Sequence, residues 1–415
     1  MAKNTSGQDC CSLHGWMKVL PFAEGDFTTI IHSDINCSNL LDKKSYRKDI
    51  FKNVFCTNLT ESDIILGNSS QKLKRCISEV AKLNETKNIL ILNSCMSLII
   101  GEDIKKTIKE FENNTDVKLH FYNTSGLTFE DPKKIIDEAG CFILNTLKKP
   151  STTKDNSINI IGFDYYLDES GNLRKELNDF ILELDKFGIK INSIINPYQN
   201  IKKWEESLKG KINITFDKRL YANTCKKYYE EFGINTIEVP MPSTPNSIKE
   251  FIEIIFENIE TDNKSNYYEF QKKINENKKF IQNKIKELQQ KKIIYNIASN
   301  LDFSTSNSAK EGLLMLNFFK ELGCSVEILI QGNPETENKE RIKKDLESIG
   351  IKDNFTLFGH CGDAYKFLDG SPNTIVYGST LLKAQAEEKG NKFLEYNDIL
   401  PGLANMKKNI EKILD

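Results

Sequence analysis

The chain has 415 residues, 39% of them hydrophobic and 28% charged, too long for one small core and enough for two or three domains. Lysine and arginine number 57 against 59 aspartate and glutamate, and the net charge of −2 excludes the basic excess that drives binding to nucleic acid. No apolar run approaches the roughly 20 residues that cross a bilayer, and the start MAKNTSGQDCC lacks the order of a secretion signal, so a cytoplasmic chain with no membrane partner is expected.

Strand-like and helix-like segments then alternate, the pattern of helices laid on both faces of mainly parallel sheets. A strand is predicted at 28–31, a helix at 71–81, a short buried strand at 88–92 (NILIL), a helix at 101–112, a strand at 117–122 and a helix at 133–139. The polar stretch 148–157 (KKPSTTKDNS) has the composition of a linker and closes a first domain, 1–150. The second, 151–264, opens with a strand at 158–163, then a helix at 173–187 closed by Gly188 and strands at 189–195 and 211–216. A helix at 218–232 closed by Gly233, a strand at 236–239 and a helix at 247–259 complete it. Both glycines stand where a left-handed cap costs least. A long polar helix at 265–290 carries only an incomplete apolar stripe and bridges into the third domain, 265–415. There the pattern predicts a strand at 292–298, a helix at 309–322 closed by Gly323, strands at 325–330 and 374–378, and a last helix at 403–414. The expected fold class is α/β, as three Rossmann-like, doubly wound parallel-sheet domains.

A reducing compartment keeps the 10 cysteines free of a disulfide framework, and the 4 histidines (His14, His32, His120, His360) nearly exclude a histidine-rich metal centre. Cys141, Cys225 and Cys324 lie in or beside apolar elements and Cys76 on the 71–81 helix, so these read as core. Cys361 sits in GHCGD beside His360, a weak signal by itself. Cys10 and Cys11 occupy a polar tail, Cys37 a loop after the first strand, and Cys95 the loop just past the NILIL strand. Loops at the carboxyl ends of parallel strands are where such sheets place ligands. Thiolates there suit iron–sulfur or zinc chemistry. Structural zinc prefers paired C-x₂₋₄-C knuckles, and none exists here, so single cysteines gathered by the fold or by two subunits suit a cluster better. Buried or incidental thiols are the alternative.

Four stretches in order then carry a resemblance: C-S-L-H-G-W from Cys11, I-H-S-D-I-N-C ending at Cys37, F-C-T-N-L-T-E-S-D-I-I-L-G-N from Phe55, and S-C-M-S-L-I-I-G-E-D-I around Cys95. Together they resemble the N-terminal domain of nitrogenase component 1 and its relatives. Those relatives include protochlorophyllide reductase subunits, the nickel-sirohydrochlorin diamide reductase and the nitrogenase cofactor-assembly scaffold. The motifs cover residues 10–105, and the domain rhythm extends over the chain. The resemblance implies a nitrogenase component 1-like subunit that pairs with a second component 1-like subunit, the same or a related chain, across a bridging iron–sulfur cluster of the 4Fe–4S type. It places Cys11 (or Cys10), Cys37 and Cys95 on the family's three ligand positions, with Cys56 a further candidate. It also lays 97–103 on the surface where an ATP-dependent iron protein docks, although a solvated helix start explains Asp63, Glu102 and Asp103 equally well. Residues 61–67 are read as a strand and turn.

Departures from the family pattern are as informative. The family carries His-Gly-Pro and then Gly-Cys at the second ligand, and this chain has His32-Ser33-Asp34-Ile35-Asn36-Cys37. The nitrogenase α subunit holds its catalytic cofactor by a cysteine after the strand matching 211–216, where this chain has Asp217, and by a late histidine, whereas none follows His360. Neither an iron–molybdenum cofactor nor dinitrogen reduction is therefore expected. What remains implied is an oxidoreductase subunit that passes electrons from the iron protein through the cluster to a substrate. A flat tetrapyrrole is the class that relatives without those anchors reduce. His32, Asp34 and Asp217 are its candidate proton donors, with His32 equally a structural turn residue. The alternative is a scaffold that holds a metal cofactor during assembly and hands it on.

Overall fold

The computed structural model describes residues 13, 16, 27–39, 53–83, 88–112, 117–125, 135–148, 154–162, 174–195, 200–216, 218–260, 264–298, 315–331, 339–347, 352, 354–359, 361–378 and 382–415. Three sheets succeed one another along the chain, and every strand pairing in them is parallel. The first holds β1 (Thr28–His32), β2 (Val54–Cys56), β3 (Asn88–Asn93) and β4 (Lys118–Tyr122) in the order β2-β1-β3-β4. The second holds β5 (Asp155–Ile161), β6 (Ile191–Ile195), β7 (Gly210–Thr215) and β8 (Asn235–Glu238) in the order β6-β5-β7-β8. The third holds β9 (Lys292–Ala298), β10 (Ser325–Gln331), β11 (Phe355–Phe358), β12 (Thr374–Gly378) and β13 (Lys392–Glu395) in the order β11-β10-β9-β12-β13.

The central strands are apolar on successive residues because helices cover both of their faces. Ile89 and Ile91 face a core formed with the helices Ser69–Leu83 and Ile104–Glu112, whereas Leu90 and Leu92, one residue out of phase, face the core that contains Trp16, Ile143 and Trp204. In each sheet the chain leaves the first strand to one side and later returns to its other side, between β1 and β3, β5 and β7, and β9 and β12. This reversal opens a crevice at the carboxyl ends, the ordinary ligand position of such sheets.

Helices tie the sheets together. The helix Ile135–Thr146 lies against the helix Ala222–Phe232, with Asp137 accepting the Asn223 and Thr224 amide N–H groups at 2.9 and 2.7 Å. One hydrophobic cluster runs from Ile158 on β5 through Phe270, Ile274 and Leu288 of the helix Lys264–Leu288 to Ile413 of the final helix Leu403–Leu414. Gly188, Gly233 and Gly323 adopt the left-handed backbone read for them, with φ of 77°, 63° and 80°.

Several local expectations change. Residues 61–67 form a helix, Glu61–Ile65, because Thr60 and Asp63 build a capping box that satisfies its first amides. The stretch taken as linker already belongs to β5 from Asp155, with Ser157 buried. The helix expected at 133–139 continues to Thr146, since Ile143 and Leu144 carry its apolar face into the core. The helices expected from 173 and 218 begin as 3-10 turns, Lys175–Leu177 and Lys218–Tyr221. Cys37 and Cys95, read as loop residues, lie on short helices, Ile35–Asn39 and Cys95–Ile99. Among the described residues no helix is long and apolar enough to cross a membrane.

Candidate functional site

The crevice of the first sheet gathers the chemistry. β1 ends at His32, paired in register with Asn93 at the end of β3. From β1 the chain passes through Ser33 and Asp34 into the short helix that carries Cys37. From β3 it passes through Ser94, whose hydroxyl accepts the Met96 N–H at 3.3 Å, into the helix that begins at Cys95. The Ser94 N–H donates to the His32 carbonyl at 3.2 Å, so the two cysteine-bearing segments leave the sheet side by side. Both thiols are half-buried and free of disulfide. β2 ends alongside at Cys56, whose thiol donates to the Ser33 carbonyl at 3.4 Å and accepts the Asn58 N–H at 3.3 Å. Asn58 has a φ of 50°, the one positive value at a non-glycine residue among those described.

Beneath these segments lies a buried polar network. His32 is fully buried; its Nδ1 is 3.1 Å from Thr57 Oγ1 and its Nε2 is 2.8 Å from Glu102 Oε2. The Ser69 hydroxyl donates to the same carboxylate oxygen at 2.5 Å and lies 3.2 Å from His32 Nε2. Thr57 Oγ1 accepts the Ser33 N–H at 3.1 Å. Glu102 reaches this position because Gly101, at φ 66°, turns the chain back at the end of the Cys95 helix, where the Glu102 N–H donates to the Ser97 carbonyl at 3.0 Å. Burial raises the Glu102 carboxyl, but the hydrogen bond and charge of His32 and the bond from Ser69 outweigh it and hold the group below its ordinary range. Asn93 is also fully engaged: its amide donates to Ser97 Oγ at 3.0 Å and accepts the Thr124 N–H at 2.8 Å, which ties in the end of β4.

Of the residues singled out by sequence, Cys37, Cys56, Cys95, His32 and Asp34 meet at this crevice. Asp34 is half-buried and accepts the Asn36 N–H at 2.8 Å. Cys10, Cys11 and Asp217 lie outside the described residues, as do His360 and the Cys361 side chain. Cys225 and Cys324 are 2% and 8% exposed and belong to the cores, as expected; Cys76 is half-buried and packs against a core of the first sheet, and Cys141 is half-buried. Burial pushes the Cys225 thiol up to about 12 and those of Cys76, Cys141 and Cys324 to about 11, so all four stay protonated near neutrality. For Glu102 the sequence offers a solvated helix start or a place on the docking surface 97–103, whereas its side chain is 7% exposed and pairs with His32. Thr57 and Glu102 fall inside two of the stretches that carry the resemblance, but nothing in the sequence assigns them a role beside His32, and Ser69 lies outside those stretches. Asp63 caps its own helix and takes Lys72 at 2.5 Å, and Asp103 accepts the Lys106 N–H at 3.0 Å, both helix-start roles.

Among the described residues no three histidine, cysteine or carboxylate side chains gather closely enough to hold a metal ion. Cys37 and Cys95 on adjacent segments, with Cys56 alongside, are the soft thiol donors the crevice offers, a set that needs ligands from elsewhere.

A family model described as nitrogenase component 1 type oxidoreductase matches residues 19–396, and the chain belongs to that family. Among individual proteins, it is 25% identical over 235 residues to the nitrogenase iron-molybdenum cofactor biosynthesis protein NifE of Methanococcus maripaludis, covering 55% of this chain and 47% of that protein. It is 26% identical to the protein of the same name from Clostridium pasteurianum, covering 54% and 49%. The nitrogenase molybdenum-iron protein alpha chain of Methanosarcina barkeri is 23% identical, over 58% of this chain and 46% of that one. The chain thus spans about half the length of the curated relatives it matches. A solved structure, nitrogenase Cp1 at pH 6.5, superposes with a TM-score of 0.65 at 16% identity, over 96% of this chain and 90% of that one, and has the same fold.

Proposed function

We propose that this chain is a subunit of a nitrogenase component 1 type assembly whose first unit, 1–150, holds an iron–sulfur cluster at a subunit interface, and that it serves as a scaffold in building a metal–sulfur cofactor. The observation that carries the proposal is the pair of half-buried thiols, Cys37 and Cys95, on segments leaving neighbouring parallel strands at the switch point of the first sheet. The donor set fits such a group. Thiolates are the ligands that iron–sulfur clusters take, and the two here are too few alone, which leaves a third position for Cys11 or Cys10 and the remainder for a second subunit. A bound cluster supplies one-electron redox chemistry at that interface. Asp34 presents a carboxylate beside the segment that carries Cys37, and Cys56 stands by as a further donor.

An assembly surface is present on the same side. Ile65, Leu66 and Ile99 are 81%, 70% and 73% exposed, and Ile35 and Leu98 join them, so five of the eight exposed large hydrophobic residues described cluster on the helices and turns at this end of the first sheet. Such a patch favours a protein partner, and a second component 1-like subunit and an ATP-dependent iron protein are the partners we propose.

Scaffolding is preferred to tetrapyrrole reduction because two of the relatives named above are cofactor biosynthesis proteins. Release of a cargo also favours weak anchoring, and the sequence has Asp217 at the position where the resemblance implies a thiolate ligand. The test is anaerobic isolation of the chain with its neighbours. Iron bound by the wild type and lost in Cys37→Ala and Cys95→Ala, followed by cluster transfer to an acceptor without substrate turnover, is the expected result. Turnover of a tetrapyrrole dependent on reductase and ATP would instead establish the reductase reading, and an iron-free wild type would remove both.

A further inference from the structure

We infer that His32 and Glu102 are positioning residues whose hydrogen bond locks the Cys37 segment to the Cys95 segment, so that the two thiols stand in place before any metal arrives. The inference rests on the cluster reading for what those thiols hold, but the lock is a property of the metal-free chain. His32 is the last residue of β1, at the root of the segment that carries Cys37, and Glu102 follows directly on the helix of Cys95 and its Gly101 turn. Their 2.8 Å contact therefore joins the end of β1 to the residue that follows the Cys95 helix and its turn, and Ser69 and Thr57 add the helix Ser69–Leu83 and the end of β2 to the same knot. All four side chains are buried, so the bonds are not exchanged for water.

The carboxylate is also poorly placed for any role of its own. Oε2 carries both His32 and Ser69, while Oε1 is buried with no hydrogen-bond partner among the described residues. An orphaned buried oxygen is a cost to the fold, and placing the one well-used oxygen against His32 is the compensation visible in the structure. A glutamine fits the same place: its amide oxygen can accept both bonds at Oε2, and its NH₂ occupies the unpartnered side. The lock is thus geometric, and Glu102→Gln should keep it where Glu102→Ala does not.

The experiment labels the metal-free, reduced chain with iodoacetamide under native conditions and reads each cysteine by mass spectrometry. Glu102→Ala, which removes both the His32 and the Ser69 bond, is expected to speed labelling of Cys37 and Cys95 at least about tenfold, while Cys225 and Cys324 stay as slow as in wild type. Glu102→Gln should remain within about twofold of wild type on the same scale. After anaerobic reconstitution, iron should be lost to a chelator faster in Glu102→Ala and not in Glu102→Gln. Unchanged labelling in Glu102→Ala, equal acceleration in both variants, or a parallel rise at Cys225 would overturn the lock. Should Glu102→Ala fail to fold, Ser69→Ala removes one donor to the same oxygen and should accelerate the two thiols about threefold, with no change counting against the lock. A wild type that takes up no iron rejects the cluster reading while the labelling result still decides the lock; iron held equally well by every variant, with equal labelling, rejects the lock alone.

Discussion

Replacing Asp137 by alanine strips a carboxylate that caps the start of another helix. The helix Ala222–Phe232 has Tyr221 at its N-cap, which makes no side-chain capping bond, and amides of its first turn donate to a residue 86 positions away. The Asp137 carboxylate, 4% exposed, accepts the Thr224 N–H at 2.7 Å, the Asn223 N–H at 2.9 Å and the Asn223 side-chain amide at 3.0 Å. Losing a helix cap costs about 1 kcal/mol, and leaving buried donors without a charged acceptor adds roughly 1.5–3 kcal/mol, so about 3 kcal/mol is expected after allowing for non-additivity. A chain with three sheets does not unfold in one step, which makes a global midpoint a poor measure. Hydrogen exchange over residues 222–232 is the direct assay, and about 3 kcal/mol corresponds to roughly a hundredfold loss of protection if opening is local. Asp137→Asn keeps one acceptor oxygen and should fall between the two. Protection in Asp137→Ala within about threefold of wild type would refute the cross-unit cap.

Gly140 faces the same helix, and a methyl group there would lie 2.5 Å from Thr224 Oγ1 and 3.3 Å from Trp204, so Gly140→Ala should cost about 1–3 kcal/mol, read by hydrogen exchange over residues 135–146 and 222–232, and be partly relieved when combined with Thr224→Ala. Burial and nearby Lys118 hold the His120 imidazole down to about 4, with Phe27 and Phe142 edge-on to its ring at 5.4 and 5.5 Å; its ring proton shifts should stay flat in NMR titration from pH 8 to 5. Because unfolded histidine takes up a proton near pH 6.5 and this folded one does not, the group withdraws stability as pH falls from there towards 4. Glu183 has the opposite sign. Burial raises its carboxyl, and Lys273 with the Ala404 and Leu403 amides only partly lowers it again, so its contribution is lost as pH rises through the window between the unfolded and folded values. Glu183→Gln should therefore gain on wild type as pH rises above the ordinary carboxylate range, read by hydrogen exchange over residues 178–186, and a gain that shrinks as pH rises would contradict that sign.

What the sequence made legible was set by length and repetition. The runs 88–92, 292–298 and 374–378 are buried on both faces and long enough to be read, and the glycines that close three helices announced themselves by position. β2, β11 and β13 are only 3 or 4 residues long and carry no period. The thiols of the site were legible for a topological reason, since cysteines just past apolar strands fall at the carboxyl end of a parallel sheet whatever else the chain does. Glu102 was not, because an acidic residue after Gly101 has the same local signature whether it meets water or is folded back onto His32, 70 residues away. Ser69 and Thr57 are more opaque still: their roles depend on how the ends of three different strands and a helix converge.

All three sheets share the same reversal, but among the described residues the chemistry at their carboxyl ends differs. The central pair of the first sheet ends at His32 and Asn93 and leads to two thiols, whereas β5 is followed by Gly162 at φ 96° and β12 ends in Gly378 at φ 151°. If metal binding belongs to the first sheet alone, damage at the third should leave it intact, and Gly378 provides the damage. A methyl group on Gly378 would stand 2.2 Å from the Asn296 carbonyl oxygen on β9, a backbone atom that cannot swing aside, at a φ that other residues rarely adopt. Gly378→Ala should loosen the β9–β12 pairing, seen as faster exchange across residues 374–378, while iron retained through Cys37 and Cys95 stays at the wild-type level. A parallel loss of iron in that variant would mean that the cluster's integrity extends beyond the first sheet, and the assignment of the metal chemistry to β1 and β3 would have to be abandoned.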